Sequence, residues 1–183
     1  KGPNVMKGYY KDPERTASVM TGEYFHTGDK GEIDADGFLK ITGRKKEMFK
    51  TSGGKYIIPT LIENELKESN FIEQVMVIGE NQKMPAALVQ LNFEFLYDWI
   101  DRKNYNIDKN PTSIIASTEV QKRIQIEIDK CNSRFGKWEQ IKKFELTPDV
   151  WSIDGGHLTP TMKMKRSVII EIYDDLVQNI YTD

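Results

Sequence analysis

The spacing of apolar residues predicts a long helix over residues 118–138. Within this segment apolar side chains recur at steps of three and four positions, which is the period of one helix face. These positions are Val120, Ile124, Ile128, Cys131, Phe135 and Trp138. Thr118 followed by Gln121 matches a capping box, in which two side chains satisfy free N–H groups at a helix start. The pattern therefore predicts a helix capped by Thr118, with Cys131 as an inert residue of the core.

Strands and further helices are predicted on either side of this segment. Three runs rich in aliphatic residues predict strands: IEQVMVIGE, MPAALVQLN and IKKFELTP. Helical spacing is found after Pro59 and through FEFLYDWIDRK. A last helix would bury four side chains: Ile169, Ile172, Leu176 and Ile180. The elements together predict an α+β fold, with a β-sheet flanked by helices from about residue 46 onward.

The first 45 residues have a different pattern. A short helix is expected around Pro13–Met20, because Asp12 can cap it and proline suits its first turn. The segment GEIDADGFLKITGR predicts a hairpin around Asp36-Gly37. This β-rich stretch has too little apolar pattern to fold alone. We therefore expect residues 1–45 to be the incomplete end of a larger N-terminal domain and residues 46–183 to form a C-terminal domain.

Composition narrows the class of protein. A length of 183 residues with 38% hydrophobic and 30% charged residues is typical of a soluble globular protein. The net charge of −2 gives no general attraction to nucleic acid. No apolar run approaches the ~20 residues that a membrane helix needs. The single cysteine excludes an internal disulfide framework and is compatible with the cytosol. The start KGPNVMKGYY, which has no initiator methionine, suggests an excised fragment.

Three short motifs could carry chemistry. In YFHTGD the turn presents one carboxylate, Asp29, which could bond its own backbone or accept hydrogen bonds from sugar hydroxyls. In GRKKEMFKTSGGKYIIP the pair Gly53-Gly54 offers a close backbone approach beside several cations. A Walker loop is excluded there, because Phe49 replaces the first glycine and Tyr56 the final Ser or Thr.

The third motif is LTPTMKMKR, near the C-terminus. Alternation would place Thr161, Lys163 and Lys165 on one face and Met162 and Met164 on the other. A lysine on such a turn is usually solvated, and the functional alternative is a point charge against a phosphate or carboxylate. The residues alone leave both interpretations open.

The order and spacing of these motifs resemble the adenylate-forming acyl-CoA synthetases. YFHTGD, then GEIDADGFLKITGRKKEMFKTSGGKYIIPTLIE, then LTPTMKMKR are similar to that family over essentially the whole chain. The forms FKTSGGKYI and LTPTMKMKR are most similar to long-chain fatty acid–CoA ligases. Tyr24 stands where many relatives have tryptophan, which keeps an aromatic platform.

The resemblance implies two half-reactions. A carboxylate attacks the α-phosphate of Mg²⁺-ATP to give acyl-adenylate and pyrophosphate, and the thiol of CoA then releases AMP. A small C-terminal domain closes over a large N-terminal domain and rotates between the steps. The magnesium ligands, the triphosphate loop and the acyl tunnel would lie in the large domain, so this fragment alone is expected to be inactive.

The resemblance also implies residue roles. Asp29 and Arg44 would bind the ribose, Lys46 would be the hinge, and Lys163 would bridge the fatty carboxylate and the α-phosphate. CoA would pass Gly53 and Gly54, with Lys55 near its phosphates. The implied partners are ATP or AMP, a long-chain fatty acid, CoA and the chain's own N-terminal domain, without nucleic acid.

The sequence leaves the acyl acceptor and the cellular location open. The acceptor could instead be a carrier protein, as in fatty acyl-AMP ligases and peptide-synthetase adenylation domains. A non-catalytic nucleotide-binding module is a third interpretation, disfavoured because Asp29 and Lys163 are intact. The expected location is the cytoplasm, with peripheral membrane contact left open. His26 and His157 are assigned no chemistry, because the sequence shows no partner for either.

Overall fold

A computed structural model describes residues 1–182 and divides the chain into two compact units. The first comprises Lys1–Glu47 and the second begins at Met48. The first unit contains helix α1 (Pro13–Val19) and two antiparallel pairs, β1 (Met20–Thr21) with β2 (Tyr24–Phe25) and β3 (Asp29–Ile33) with β4 (Leu39–Arg44). Asp12 Oδ1 accepts a hydrogen bond from Arg15 N at 2.9 Å, which confirms the predicted cap.

The β3–β4 hairpin is confirmed, and its apolar side chains are exposed. Asp34 organises the turn, because its Oδ1 accepts hydrogen bonds from the N–H groups of Asp36 and Phe38. Gly37 has a φ of 87°, a left-handed conformation that glycine adopts without strain. Four large side chains of the hairpin are exposed: Ile33, Phe38, Leu39 and Ile41. The first unit therefore presents several large apolar side chains on its surface.

The second unit is built around a three-stranded sheet. Strands β7 (Ile72–Ile78) and β8 (Ala86–Leu91) are antiparallel, and β9 (Lys143–Thr147) runs parallel to β8. A small hairpin, β5 (Phe49–Lys50) with β6 (Tyr56–Ile57), precedes the sheet. The helices are α2 (Pro59–Leu66), α3 (Phe93–Lys103), α4 (Pro111–Ala116), α5 (Thr118–Asn132), α6 (Arg166–Ile172) and α7 (Asp174–Tyr181). The α+β prediction, with a sheet flanked by helices, is confirmed.

Both faces of this sheet are buried. Alternate residues of β7 and β8 belong to two separate apolar clusters, as the period of two along a strand requires. Val75, Val77 and Val89 pack with residues of α2, α3 and α5. Met76 and Leu88 pack on the other face with residues of α6 and α7. The sheet therefore ties the helix after the GGK segment to the helices after the LTPTMKMKR segment.

The long helix is shorter than predicted. Its cap is Ser117, whose Oγ accepts from Val120 N at 3.4 Å, while Gln121 donates to Ile115 O instead of closing a capping box on Thr118. The helix ends at Asn132, because that side chain bonds both backbone groups of Ile141 and turns the chain back. Trp138 is consequently 53% exposed rather than part of the buried stripe.

The last helix and the LTPTMKMKR segment also differ from their predicted structures. The last helix is broken at Tyr173 into α6 and α7, and Ile172 is 45% exposed, although Ile169 and Ile180 are buried as predicted. The alternation in the LTPTMKMKR segment is also wrong, because Met162 has a φ of 60° in a turn and is exposed. Cys131 is buried as predicted, and burial raises the pKa of its thiol to about 12.

Candidate functional site

Asp29 and Arg44 are brought together at one end of the β3–β4 hairpin. They are direct partners in the antiparallel register, and Arg44 Nε lies 3.1 Å from Asp29 Oδ1. Gly28, with a φ of 77°, makes the turn before β3, and the Thr27 hydroxyl accepts from Asp29 N at 3.1 Å. An ionised carboxylate beside a guanidinium offers acceptors and donors for a diol such as ribose.

Lys46 lies in a turn over residues 45–47, between β4 and the β5–β6 hairpin. Lys45 N donates to Gly28 O and Glu47 N donates to Arg44 O, so the turn is fastened to the first unit on both sides of Lys46. The Lys46 side chain is exposed. The two compact units divide after Glu47, one residue beyond it.

Gly53, Gly54 and Lys55 form the tip of the β5–β6 hairpin. Thr51 closes this loop, since its backbone bonds Gly54 N and Lys55 O, and Ser52 N is bonded to Gln82 O. Gly54 has a φ of 80° and therefore needs glycine, whereas Gly53 has no positive φ. A Cβ added at Gly53 would meet no heavy atom within 4 Å. The fold of this unit therefore imposes no requirement for glycine at position 53.

The Lys55 ammonium lies 5.6 Å from the ring centroid of Trp138, a cation–π contact on the surface. The sequence suggested that Trp138 belongs to a buried stripe, so this exposed aromatic beside the glycine loop was missed. Its position follows from the turn at Asn132, which no local pattern indicated.

Lys163 is presented on a tight loop. Thr159 N donates to Lys163 O at 2.8 Å, Lys163 N donates to Thr159 Oγ1 at 3.1 Å, and Met162 N donates to Thr159 O at 2.8 Å. An isolated bridge between Leu158 and Met164 closes the base of the loop. The Lys163 side chain is exposed, and its ammonium has no hydrogen-bond or ion-pair partner among residues 1–182. This geometry leaves a cation on a fixed backbone, available to an anionic ligand.

The N-terminal side of that loop is anchored by a polar network around the buried His157 and Tyr173, which sequence reasoning missed. His157 Nδ1 accepts from Ser152 N at 3.4 Å, and its Nε2 lies 3.2 Å from the Tyr173 hydroxyl. Tyr173 in turn donates to Asp149 Oδ2 at 3.1 Å. Burial, with the nearby Asp149 carboxylate as the next cause, raises the pKa of Tyr173. His157 O also accepts from Lys165 N. This hydrogen bond joins the segment before the loop to the segment after it.

The C-terminal side of the loop ends in a buried ion pair. The Arg166 guanidinium donates to both carboxylate oxygens of Glu63, at 2.8 Å and 2.6 Å. Glu63 lies on α2 and its side chain is only 3% exposed. No pattern in the sequence marked Glu63, because its partner is distant in sequence and glutamate is normally exposed on a helix.

Within residues 1–182, no group of three His, Cys, Asp or Glu side chains could hold a metal ion. Over the same residues, no helix is long and apolar enough to cross a membrane.

The chain is similar to known proteins over its whole length. The model of the family "AMP-binding enzyme C-terminal domain" matches residues 47–183. The long-chain-fatty-acid–CoA ligase FadD15 of Mycobacterium tuberculosis is 33% identical over 181 residues, which are 99% of this chain and 30% of that protein. The human long-chain-fatty-acid–CoA ligase 1 is 36% identical over 186 residues, covering 100% of this chain and 26% of that protein.

A solved structure shows the same fold. The A domain of carboxylic acid reductase from Segniliparus rugosus, in complex with AMP and a co-purified carboxylic acid, has a TM-score of 0.76 at 23% identity. The match covers 99% of this chain and 27% of that one. The chain therefore spans about a quarter to a third of the length of the proteins it matches.

Proposed function

The chain belongs to the family of AMP-binding enzyme C-terminal domains, and from this premise we propose that it is the C-terminal part of an ATP-dependent long-chain fatty acid–CoA ligase. The observation that carries the proposal is the combination of an exposed, unpaired Lys163 on a fixed loop with relatives at 33% and 36% identity that are named as such ligases. The whole enzyme would form acyl-adenylate and pyrophosphate, then acyl-CoA and AMP.

Lys163 is proposed to act in the first half-reaction. A fatty carboxylate and the α-phosphate of ATP repel each other, and one ammonium between them attracts both. It would also stabilise the charge that builds on the phosphoryl oxygens as the new bond forms. Two hydrogen bonds hold the backbone of Lys163, through its N–H and its carbonyl, so little backbone entropy is lost when the side chain engages its ligands.

The Asp29–Arg44 pair is proposed to bind the ribose of ATP or AMP. Arg44 Nε forms an ion pair with Oδ1, so Oδ2 remains for hydroxyl donors and the rest of the half-exposed guanidinium for further contacts. Mg²⁺ would accompany ATP through ligands outside this chain, in the large N-terminal domain.

Lys46 is proposed as the pivot between the two domains. A hinge residue must change its backbone torsions without breaking packing, and an exposed side chain in a turn satisfies that condition. Residues 1–45 would complete the large N-terminal domain, whose missing part would cover the exposed apolar side chains of the β3–β4 hairpin. Residues 46–183 would be the mobile cap.

CoA is proposed to approach along the β5–β6 loop. Gly53 would leave room for the thiol arm, Gly54 would shape the turn, and Lys55 would attract a CoA phosphate. We place the enzyme in the cytoplasm, where peripheral contact with a membrane would give access to long-chain acids.

The acid class can be tested by ATP–pyrophosphate exchange with the full-length protein. Exchange should rise from acetate through octanoate to palmitate, because a long-chain ligase uses acyl-chain burial to bind its substrate. A peak at acetate or at an aromatic or amino acid would contradict the long-chain assignment while leaving the adenylate-forming chemistry intact.

A further inference from the structure

The Glu63–Arg166 pair has no role in the function proposed so far. Arg166 reaches Glu63 with two parallel hydrogen bonds, and Glu63 Oε1 also accepts from Val77 N at 2.8 Å. Val77 belongs to β7, which is an edge strand of the sheet. One carboxylate therefore joins α2, the sheet edge and the start of α6.

The start of α6 has no side-chain cap. Lys165 occupies the N-cap position and makes no side-chain hydrogen bond to the helix. Arg166 is the first residue of α6, and the helix has only seven residues. A short helix without a cap gains little fixed position from its own backbone. The two parallel hydrogen bonds from Arg166 to Glu63 fix the start of α6 in place, because they set both the distance and the direction between the two side chains.

The pair also lies close in sequence to the proposed adenylation lysine. Arg166 follows Lys163 by three residues, and it is the first residue after Lys163 whose side chain is held by a charged partner. The hydrogen bonds of the loop are mostly internal to residues 159–163. The place of the loop relative to the sheet therefore depends on its two stems, at His157 and at Arg166.

We propose that Glu63 and Arg166 are a positioning pair that sets where Lys163 lies for the adenylation step. The inference rests on the proposed function, since it requires Lys163 to act there. A buried ion pair is a weak source of stability compared with apolar residues of the same size, but it can select one conformation. A reacting group displaced by about 1 Å can lose on the order of 10²-fold in rate.

Arg166 acts through Lys163 rather than on the substrate. Both terminal nitrogens of its guanidinium are bonded to Glu63, and the side chain is three-quarters buried. Direct binding of a phosphate would require breaking this fork and leaving the Glu63 carboxylate buried and unpaired, which is strongly unfavourable.

The test uses the full-length enzyme and the double variant Glu63→Gln/Arg166→Met. The glutamine oxygen can still accept from Val77 N, and the methionine fills the space of the arginine stem without leaving a buried charge. Acyl-adenylate formation should fall by about 10- to 100-fold, since only the position of Lys163 is changed. Thioester formation from supplied acyl-adenylate should stay within about threefold of the parent enzyme.

Arg166→Lys serves as the second variant, because it keeps the cation and loses the fork. It should show a smaller but equally selective loss of adenylation. Equal loss in both half-reactions, in either variant, would identify the pair as structural only, and no loss in either would also overturn the proposal.

Lys163→Ala, measured in parallel, separates this inference from the proposed function. If Lys163→Ala abolishes adenylation and the Glu63 and Arg166 variants do not, positioning is refuted and the function stands. If Lys163→Ala leaves adenylation unaffected, the proposed role of Lys163 is wrong, and the positioning proposal falls with it.

Discussion

Replacing Lys163 by alanine in the full-length enzyme should lower the rate of acyl-adenylate formation by about 10²–10³-fold, the usual cost of losing one preorganised electrostatic contact. Thioester formation from supplied acyl-adenylate should stay within about threefold, because the lysine has no role once pyrophosphate has left. Pyrophosphate release with ATP and acid measures the first step, and CoA consumption with purified acyl-adenylate measures the second.

A matched control for this variant lies two residues away. Lys165 is also exposed, and its backbone N–H bond to His157 O survives a change to alanine. Lys165→Ala should retain adenylation within about threefold, since it is only a neighbouring solvated charge. A Lys163→Ala variant that loses both half-reactions equally would contradict the assigned role, and so would a Lys165→Ala variant as inactive as Lys163→Ala.

Gly53→Leu should have the opposite effect. We expect thioester formation to fall by about 10²-fold or more, because the added side chain would occupy the path of the CoA thiol and misplace it. Acyl-adenylate formation should be retained. Stability should change little, since a Cβ at this position meets open space and the backbone needs no positive φ. Single-turnover measurement of each half-reaction, with thermal unfolding of the purified protein, gives all three quantities.

Ser52→Leu is the matched control for bulk on the same loop. Ser52 is exposed and is held through its backbone N–H to Gln82 O, which the substitution preserves. Gly54 is unsuitable as a control, because its φ of 80° would strain any other residue by about 1–2 kcal/mol. Normal CoA transfer in Gly53→Leu would refute the proposal that the CoA thiol passes Gly53. Equal damage by Ser52→Leu would show that bulk anywhere on the loop has the same effect.

Local chemistry predicted some elements well. The cap at Asp12, the β3–β4 hairpin, the helix from Pro59 and the three core strands all follow from short-range patterns. These are features that a few neighbouring residues decide by themselves. The α+β class follows from their sum.

Contacts between residues far apart in the sequence decide where two of the helices end or break. Helix α5 ends at Asn132 because of Ile141, and the last helix breaks at Tyr173, whose hydroxyl is bonded to Asp149 and lies beside His157. Periodicity carries no information about partners distant in sequence, so it extended the long helix past Asn132 and missed the break at Tyr173.

The sequence motifs pointed to the candidate residues, but not to the contacts that hold those residues in place. Asp29, Arg44, Gly53 and Lys163 came from ordered motifs, and their roles remain proposals. The ion pair of Arg166 with Glu63 was invisible, because a glutamate on a helix normally indicates the solvent side. The fixed backbone around Lys163 likewise depends on the Thr159 hydroxyl and on Met162 in a left-handed conformation.

Product analysis of the full-length enzyme with palmitate, ATP and CoA tests directly whether it is a long-chain fatty acid–CoA ligase. We expect palmitoyl-CoA and AMP in equal amounts, with palmitoyl-AMP accumulating when CoA is left out. If the protein forms palmitoyl-AMP but transfers the acyl group only to the thiol of a carrier protein, and never to CoA, it is not a fatty acid–CoA ligase.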